Sequence, residues 1–249
     1  MKKDLIKSIF VFFFIGTILT GCQEKEDKPT KDSSAESESA TDHDHDHNHD
    51  HDHDHDHDHS HDHSHHDEKL QEIYSGIFEN DEIEDRALSD WEGDWQSVYP
   101  YLLDGSLDEV LQKKVETNKD KTFDEYKEYY TVGYETEIER IVIEDNTMTF
   151  YKNGEGTTGE YKYNGYEVLN YESGNRGVRY LFDLVGAVSG VPKHVQFSDH
   201  SIYPTEAGHY HIYFGDEKHD ELLDQLDNWP TYYPSNFSGK EIAEEMNAH

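Results

Sequence analysis

The feature that most limits how this chain can fold is a segment, residues 23–68, that contains no aromatic and no branched aliphatic residue. Such a segment has nothing to bury, so hydrophobic burial cannot offset the entropy lost on ordering it. We therefore expect residues 23–68 to form a disordered tether. Apolar residues return at Leu70 and Ile73, and residues 69–249 have the usual length of one domain.

The first 22 residues have the pattern of a secretory signal peptide. The sequence begins Met1-Lys2-Lys3, an apolar run follows at 9–15, and the segment ends with Leu-Thr-Gly-Cys at Cys22, the only cysteine of the sequence. The run is shorter than the roughly 20 apolar residues that span a bilayer. Leu-Thr-Gly-Cys resembles the lipobox of bacterial lipoproteins, whose cysteine is lipidated. We predict an extracytoplasmic protein held at the cell membrane by a lipid on Cys22; the alternative is an ordinary signal peptide with an incidental cysteine.

A histidine-rich tract occupies residues 42–66 and repeats with a period of two. Its thirteen histidines are His43, His45, His47, His49, His51, His53, His55, His57, His59, His61, His63, His65 and His66. Imidazole binds zinc, copper and nickel, and the intervening aspartates attract divalent cations. Because the segment has no fixed geometry, we expect several weak metal sites that lose affinity as the pH falls through about 6.5. A spacer that merely aids solubility is the alternative.

The predicted domain is strongly acidic. Residues 69–249 contain 38 acidic and 15 basic residues, a net charge of −23 with histidine neutral. This charge argues against binding to nucleic acid or to an anionic membrane surface. It suits a protein that handles cations, although an acidic surface without any such role would have the same composition.

Short runs of β-branched and aromatic residues dominate residues 134–214. The predicted strands are Ile138–Ile143, Thr147–Tyr151, Gly159–Tyr163, Glu167–Tyr171, Val178–Leu184, His194–Phe197 and His209–Phe214. Turn dipeptides such as Asn153-Gly154 and Asn164-Gly165 separate them, which favours an antiparallel sandwich or barrel. The triplet Gly93-Asp94-Trp95 resembles the lipocalin and calycin signature. We predict a mainly β fold, a calycin or lipocalin-like antiparallel barrel with added α-helices.

Helices are predicted on both sides of the strand-rich region. Capping boxes of the form S/T-x-x-E begin at Ser106, Thr122 and Ser238. A further helix is expected near residues 217–228.

The strongest candidate site combines His200, His209 and His211. His209 and His211 lie two residues apart on a predicted strand, so their side chains share a face. His200 ends the preceding strand, and the eight residues before His209 include Pro204 and Gly208, enough for a hairpin loop. Three histidines with one open position suit zinc. A polar pair between neighbouring strands is the alternative, and the tract on the same chain favours the metal site.

Several segments around these histidines resemble the ZinT (YodA) family of zinc-binding proteins, whose domain also occurs fused behind zinc-binding proteins of ABC importers. The similarity extends from Leu88 to His249 and includes LSDWEGDWQSVYPYL, KTFDEYKEYY, VQFSDH, HYHIYFG and NWPTYYP. It implies a calycin-like barrel with a helical part, and a metal bound by His200, His209 and His211. It also implies that solvent, a small anion or an outside carboxylate fills the remaining position. The best-known members of the family are soluble, whereas this chain is predicted to have a long, lipidated histidine tract. That difference puts in doubt whether this protein diffuses freely to a partner.

These observations predict a binding protein, not an enzyme. We expect it to capture zinc and to support uptake by handing the ion to the solute-binding protein of an ABC importer, with cadmium, copper or nickel competing. One alternative is sequestration of excess zinc, cadmium or copper. Another is a zinc hydrolase that uses Glu206, the only carboxylate in the loop between the histidine strands. A lipocalin-type carrier of apolar ligands is disfavoured because histidines and tyrosines are expected to point into the barrel.

The remaining histidines are weaker candidates. We expect His194 at the surface or behind the ligands, and His219 on a solvated helix face. His249 is expected to be disordered.

Overall fold

The computed structural model describes residues 62–248, with residues 62–67 described through their backbone alone. The signal segment, Cys22, tract residues up to His61 and His249 lie outside the described residues. Helix α1 (Asp62–Tyr74) begins within the tract, before residue 68, the predicted end of the tether. Ile73 of α1 is buried in the barrel core, and this burial favours order in the helix that carries it. Among the described residues, no helix combines the length and apolarity that a bilayer span requires.

Eight antiparallel strands form a closed barrel in chain order, and β1 pairs with β8 to complete it. The strands are β1 (Gly93–Ser97), β2 (Arg140–Glu144), β3 (Thr147–Lys152), β4 (Glu155–Asn170), β5 (Arg176–Leu184), β6 (His194–Ser198), β7 (Tyr210–Gly215) and β8 (Thr231–Pro234). Closure leaves no unpaired sheet edge. The predicted fold class is confirmed.

Aromatic side chains fill the interior of the barrel. Trp91, from a short 3-10 helix (Leu88–Trp91), stacks on Phe197 with ring centroids 4.8 Å apart, and Tyr180 and Phe182 pack around the pair. Trp95 of the Gly-x-Trp triplet is also buried and donates its indole N–H to the carbonyl of Trp91 at 2.9 Å. These rings occupy the space in which a lipocalin would hold its ligand, so a carrier of apolar molecules loses support.

The strand prediction was wrong at one turn. Strands expected at 159–163 and 167–171 form the single strand β4, which pairs first with β3 and then with β5. The register shifts between Tyr163 and Tyr166, and Gly165 has a φ of 92°. The Asn164-Gly165 dipeptide therefore bends the strand as a bulge and does not end it.

In the part of the chain that the structure describes, five further α-helices follow α1. They are α2 (Tyr99–Leu103), α3 (Asp108–Asn118), α4 (Phe123–Tyr134), α5 (His219–Leu223) and α6 (Gly239–Ala248). The capping boxes at Thr122 and Ser238 are confirmed by reciprocal hydrogen bonds with Glu125 and Glu241. The prediction of a capping box at Ser106 was wrong. The Ser106 N–H donates to the Asp104 carboxylate, and this hydrogen bond closes a turn before α3. Helix α5 is also shorter than predicted.

A second core lies where helices pack on the outside of the barrel. Buried residues of α2, α3, α4 and α6 contact Trp229 and Tyr233 at strand β8. Gly133 of α4 accepts a hydrogen bond from the Trp229 N–H at 2.6 Å, and a Cβ at this glycine would lie only 2.3 Å from the Trp229 ring. The missing side chain therefore lets α4 approach the segment that leads into β8.

Candidate metal centre

The three predicted imidazoles meet on the outer wall of the barrel. Tyr210 and Ile212 of β7 are fully buried in the interior, so the alternating residues His209 and His211 face outward. The expectation that the histidines point into the barrel was therefore wrong. His200 follows β6 and has a φ of 66°, in the left-handed region. This turn of the backbone lets a residue beyond β6 meet His211 of β7 and His209, the residue just before β7.

The nitrogens of His200, His209 and His211 converge. One ligand atom from each ring lies within 4.8 Å of the others, and the ring centroids are 5.4 to 5.8 Å apart. In a tetrahedral zinc site with Zn–N bonds of about 2.05 Å, the nitrogens would be about 3.3 Å apart. Small rotations of the rings can supply this contraction, so the arrangement suits a metal ion with one position left open.

The residue paired with His211 on β8 fixes the tautomer of its imidazole. Its Nδ1 lies 2.7 Å from the Thr231 hydroxyl oxygen, and that hydroxyl donates its hydrogen to the Trp229 carbonyl at 3.0 Å. The Thr231 oxygen must therefore accept from His211 Nδ1–H, which leaves the Nε2 lone pair for metal. Burial, aided by His200 and Arg179, lowers the pKa of His211 to about 3, so its imidazole is neutral at pH 7.

A buried ion-pair network holds the loop that carries His200. Arg86 donates to Asp199 at 2.6 Å, to Asp90 at 2.7 Å and to the Thr205 carbonyl at 2.8 Å. Its side chain is fully buried and lies over the Trp91 ring at 4.1 Å. Burial raises the pKa of Asp199, while the Arg86 guanidinium opposes that rise. Both ends of the loop are thus fastened to the segment that precedes β1.

Two tyrosines pack against the rings of the other two candidate ligands, His200 and His209. Tyr74 of α1 lies 4.5 Å from His200 between ring centroids, and Tyr233 stacks on His209 at 5.1 Å. Burial, together with the Glu245 carboxylate, raises the pKa of Tyr74 to about 12. The same carboxylate acts on Tyr233. A negative charge on α6 therefore acts on both tyrosines that pack against the candidate ligands, and a charge of this sign favours a cation.

Similar proteins identify the family of this chain. Residues 69–249 match the family model described as ZinT (YodA) periplasmic lipocalin-like zinc-recruitment. The chain belongs to the ZinT (YodA) family. It is 58% identical over 183 residues to the probable metal-binding protein YrpE of Bacillus subtilis strain 168, covering 74% of this chain and 72% of YrpE.

Other relatives of this ZinT-family chain are much longer proteins. The zinc-binding lipoprotein AdcA of Streptococcus pneumoniae strain ATCC BAA-255 / R6 is 50% identical over 182 residues, 73% of this chain but 36% of AdcA. The crystal structure of the Zn(II)-bound ZinT-like domain of S. pneumoniae AdcA superposes with a TM-score of 0.68 at 50% identity. That match covers 70% of this chain and 97% of the domain, so the shared unit is the ZinT-like domain and not all of AdcA.

The residues that support the three candidate ligands were not predicted from the sequence. Thr231, Arg86, Tyr74 and Glu245 come from β8, the segment before β1, α1 and α6. Thr231 lies within the segment NWPTYYP that resembles the family, but the resemblance does not show that Thr231 supports a histidine. Ligand spacing identifies residues that bind directly, whereas supporting residues depend on how distant elements meet.

The structure gives little support to a hydrolase. The loop carboxylate Glu206 is exposed. Asp199, the other carboxylate beside His200, forms an ion pair with Arg86 and is not placed to act as a general base. The relatives are named for metal binding, and the family is described by zinc recruitment. Metal binding, not catalysis, is the role of this ZinT-family domain.

Two other histidines lie away from the three ligands. His194 is partly exposed and contacts Asp183, which agrees with the expected position at the surface. His219 was expected on a solvated face, but its side chain is only 11% exposed and contacts Asp183 at 3.1 Å. Helix α5 is short and packs on β6, which buries this residue.

Proposed function

We propose that this protein captures zinc outside the cytoplasm at His200, His209 and His211 and supports its uptake. The observation that carries the proposal is the convergence of three imidazoles, one of them held in its metal-binding tautomer by Thr231. Nitrogen ligands in a three-plus-one arrangement favour zinc over the oxygen-preferring cations. The names of AdcA and of its Zn(II)-bound ZinT-like domain support the same metal.

The release step is ligand exchange with a partner protein. Three histidines leave one coordination position open, and the outer wall of the barrel puts that position within reach of another protein. A partner that offers further ligands can then take over the ion one bond at a time. The partner is the zinc-binding protein of an ABC importer, an assignment supported by relatives in which a ZinT-like domain forms part of AdcA.

The histidine tract and the lipid anchor serve the same task. A lipid on Cys22 keeps the protein at the membrane, where importers work. The tract gathers zinc, and cadmium, copper or nickel when these are abundant, through many weak contacts. Helix α1 begins within the tract and ends at Tyr74, which packs on His200, so the tract joins the domain through an element that touches the centre.

Calorimetric titration with zinc tests the assignment of the site. The proteins are residues 23–249, the same chain without residues 42–61, and that shortened chain with His200, His209 and His211 changed to alanine. We expect the shortened chain to keep one tight site and the triple variant to lose it. A shortened chain without a tight site would overturn the proposal and leave the tract as the functional metal-binding segment.

The thirteen tract histidines favour a second candidate function, sequestration of excess zinc, cadmium or copper, because their capacity exceeds that of one site. Growth of a deletion strain distinguishes the two functions. A protein for uptake is needed in chelator-treated medium, whereas a protein for defence is needed in medium with excess metal.

A further inference from the structure

A second cluster of metal-binding side chains lies on the outer wall, apart from the three histidines described above. Asp183 of β5 and His194 of β6 are direct cross-strand partners. Their neighbours Phe182 and Val195 are buried in the barrel interior, so Asp183 and His194 face outward. His219, the first residue of α5, covers the pair from the side. Along β6, His194 is about 13 Å from Ser198, the strand partner of His211.

One carboxylate oxygen joins the two imidazoles. Asp183 Oδ1 lies 3.0 Å from His194 Nδ1 and 3.1 Å from His219 Nε2. The two rings meet edge to face with centroids 4.7 Å apart, and one ligand atom from each residue lies within 4.8 Å of the others. Without metal, both ring nitrogens donate to the carboxylate, so their hydrogens occupy the centre of the cluster.

We propose that Asp183, His194 and His219 form a second binding site for a divalent transition metal, with zinc as the first ion to test. Two imidazoles and one carboxylate suit zinc, copper or nickel. Binding requires each neutral ring to carry its hydrogen on the opposite nitrogen, Nε2 of His194 and Nδ1 of His219. The lone pairs of His194 Nδ1 and His219 Nε2 and one Asp183 oxygen then coordinate the ion.

The cluster is open to solvent on one side, which gives an ion access. Asp183 and His194 line a cleft of about 590 Å³ that is bounded by residues 186–189. Their side chains are 23% and 26% exposed. Lys162 and Lys193 also line the cleft and oppose a cation, but Lys193 is paired with Asp216 at 3.0 Å. The Asp220 carboxylate adds a negative charge that acts on His219.

Gln196 makes this site weaker than the three-histidine centre. Its Nε2 donates to the His219 carbonyl at 3.0 Å and lies 3.2 Å from His219 Nδ1, while its Oε1 accepts from Arg179. An amide N–H facing Nδ1 favours the tautomer with hydrogen on Nε2, which is not the binding tautomer. Thr231 has the opposite effect on His211, because its oxygen accepts from Nδ1–H. The two sites therefore differ in their supporting residue as well as in their ligands.

The experiment uses the full chain with the thirteen tract histidines changed to asparagine, so that the tract does not obscure the count of sites. Zinc titration by calorimetry should show two steps, one tight and one weaker. Changing both Asp183 and His194 to asparagine should remove only the weaker step. Because the tight step reports the three histidines separately, failure of the proposed function and failure of this inference give different results.

A gain-of-function variant tests the role of Gln196. The substitution Gln196→Glu places an acceptor against His219 Nδ1 and should tighten the weaker step by about 10-fold or more. Crystals soaked in zinc should show an anomalous peak between Asp183, His194 and His219. A single titration step that is unchanged in the Asp183→Asn/His194→Asn variant, or no anomalous peak at the cluster, would overturn the proposal. If circular dichroism shows that the Asp183→Asn/His194→Asn variant is unfolded, the single variant His194→Gln takes its place.

Discussion

At the scale of single residues, the hydrogen bonds behind the ligands distinguish the centre from a group of neighbouring histidines. His211 has both a fixed tautomer, through Thr231, and a pKa lowered to about 3 by burial. A proton therefore does not compete with metal at this ring near neutral pH. Thr231 is itself buried, and its hydroxyl is held by the Trp229 carbonyl.

Removing that hydroxyl should weaken zinc binding without unfolding the barrel. Thr231→Val keeps the shape of the side chain but leaves His211 Nδ1–H without its acceptor, so we expect zinc affinity to fall about 10- to 100-fold. Thr231→Ser restores the oxygen and should bind nearly as tightly as the unaltered protein. Competition with a chromophoric chelator measures both variants, and equal affinities for valine and serine would contradict the assigned role.

His211 should also make the metal-free protein sensitive to acid. Its folded pKa of about 3 lies below the unfolded value near 6.5, so between these values the unfolded state binds more protons. The free energy of unfolding should therefore fall as pH drops from about 6.5 towards 3, by up to about 1.4 kcal/mol per pH unit from this group. Urea denaturation of His211→Gln should show a shallower slope over the same range; parallel slopes would show that His211 does not contribute.

At the scale of elements, the loop between β6 and β7 is a rigid support for one ligand. Arg86 binds the loop at Asp199 and at the Thr205 carbonyl, while Asp90 accepts from the Thr205 N–H at 3.2 Å. The Asp90 carbonyl also accepts from the Ala207 N–H at 2.8 Å. With so many attachments, the unusual backbone of His200 is held before metal arrives, which lowers the entropy cost of binding.

Breaking this network should affect both stability and metal affinity. Arg86→Met leaves Asp199 buried beside no cation, and we expect a loss of about 3–5 kcal/mol in the free energy of unfolding. Zinc affinity should fall as well, because the loop no longer fixes His200. The matched control is Arg140→Met, which removes the pair with Asp94, whose side chains are 42% and 45% exposed. That change should cost less than about 1 kcal/mol; similar losses in the two variants would contradict the argument.

At the scale of the whole molecule, the negative charge of the domain and of the histidine tract affects how fast zinc reaches the protein. The full chain carries a net charge of −35 with histidine neutral, and the domain from residue 69 onward carries −23. A field of this sign raises the local concentration of cations and speeds their capture.

Zinc capture should therefore slow as salt rises. Between about 0.01 and 0.15 M ionic strength the Debye length falls from about 30 to about 8 Å, which screens the field of the domain. Stopped-flow measurement should show a lower association rate constant, with a smaller change in the dissociation rate from the three histidines. An association rate that does not depend on salt would mean that the acidic surface has no part in capture.

The sequence by itself determined the class of fold and the ligand set proposed for the main site. Alternating strands, the Gly-x-Trp triplet and the two-residue spacing of His209 and His211 are local patterns, and local patterns follow from backbone geometry. The tertiary structure decided which face of the barrel the histidines occupy, because that depends on Tyr210 and Ile212 filling the interior. The tertiary structure also brought together the second cluster of metal-binding side chains. Asp183, His194 and His219 come from three elements, and only the pairing of β5 with β6 and the packing of α5 bring them together.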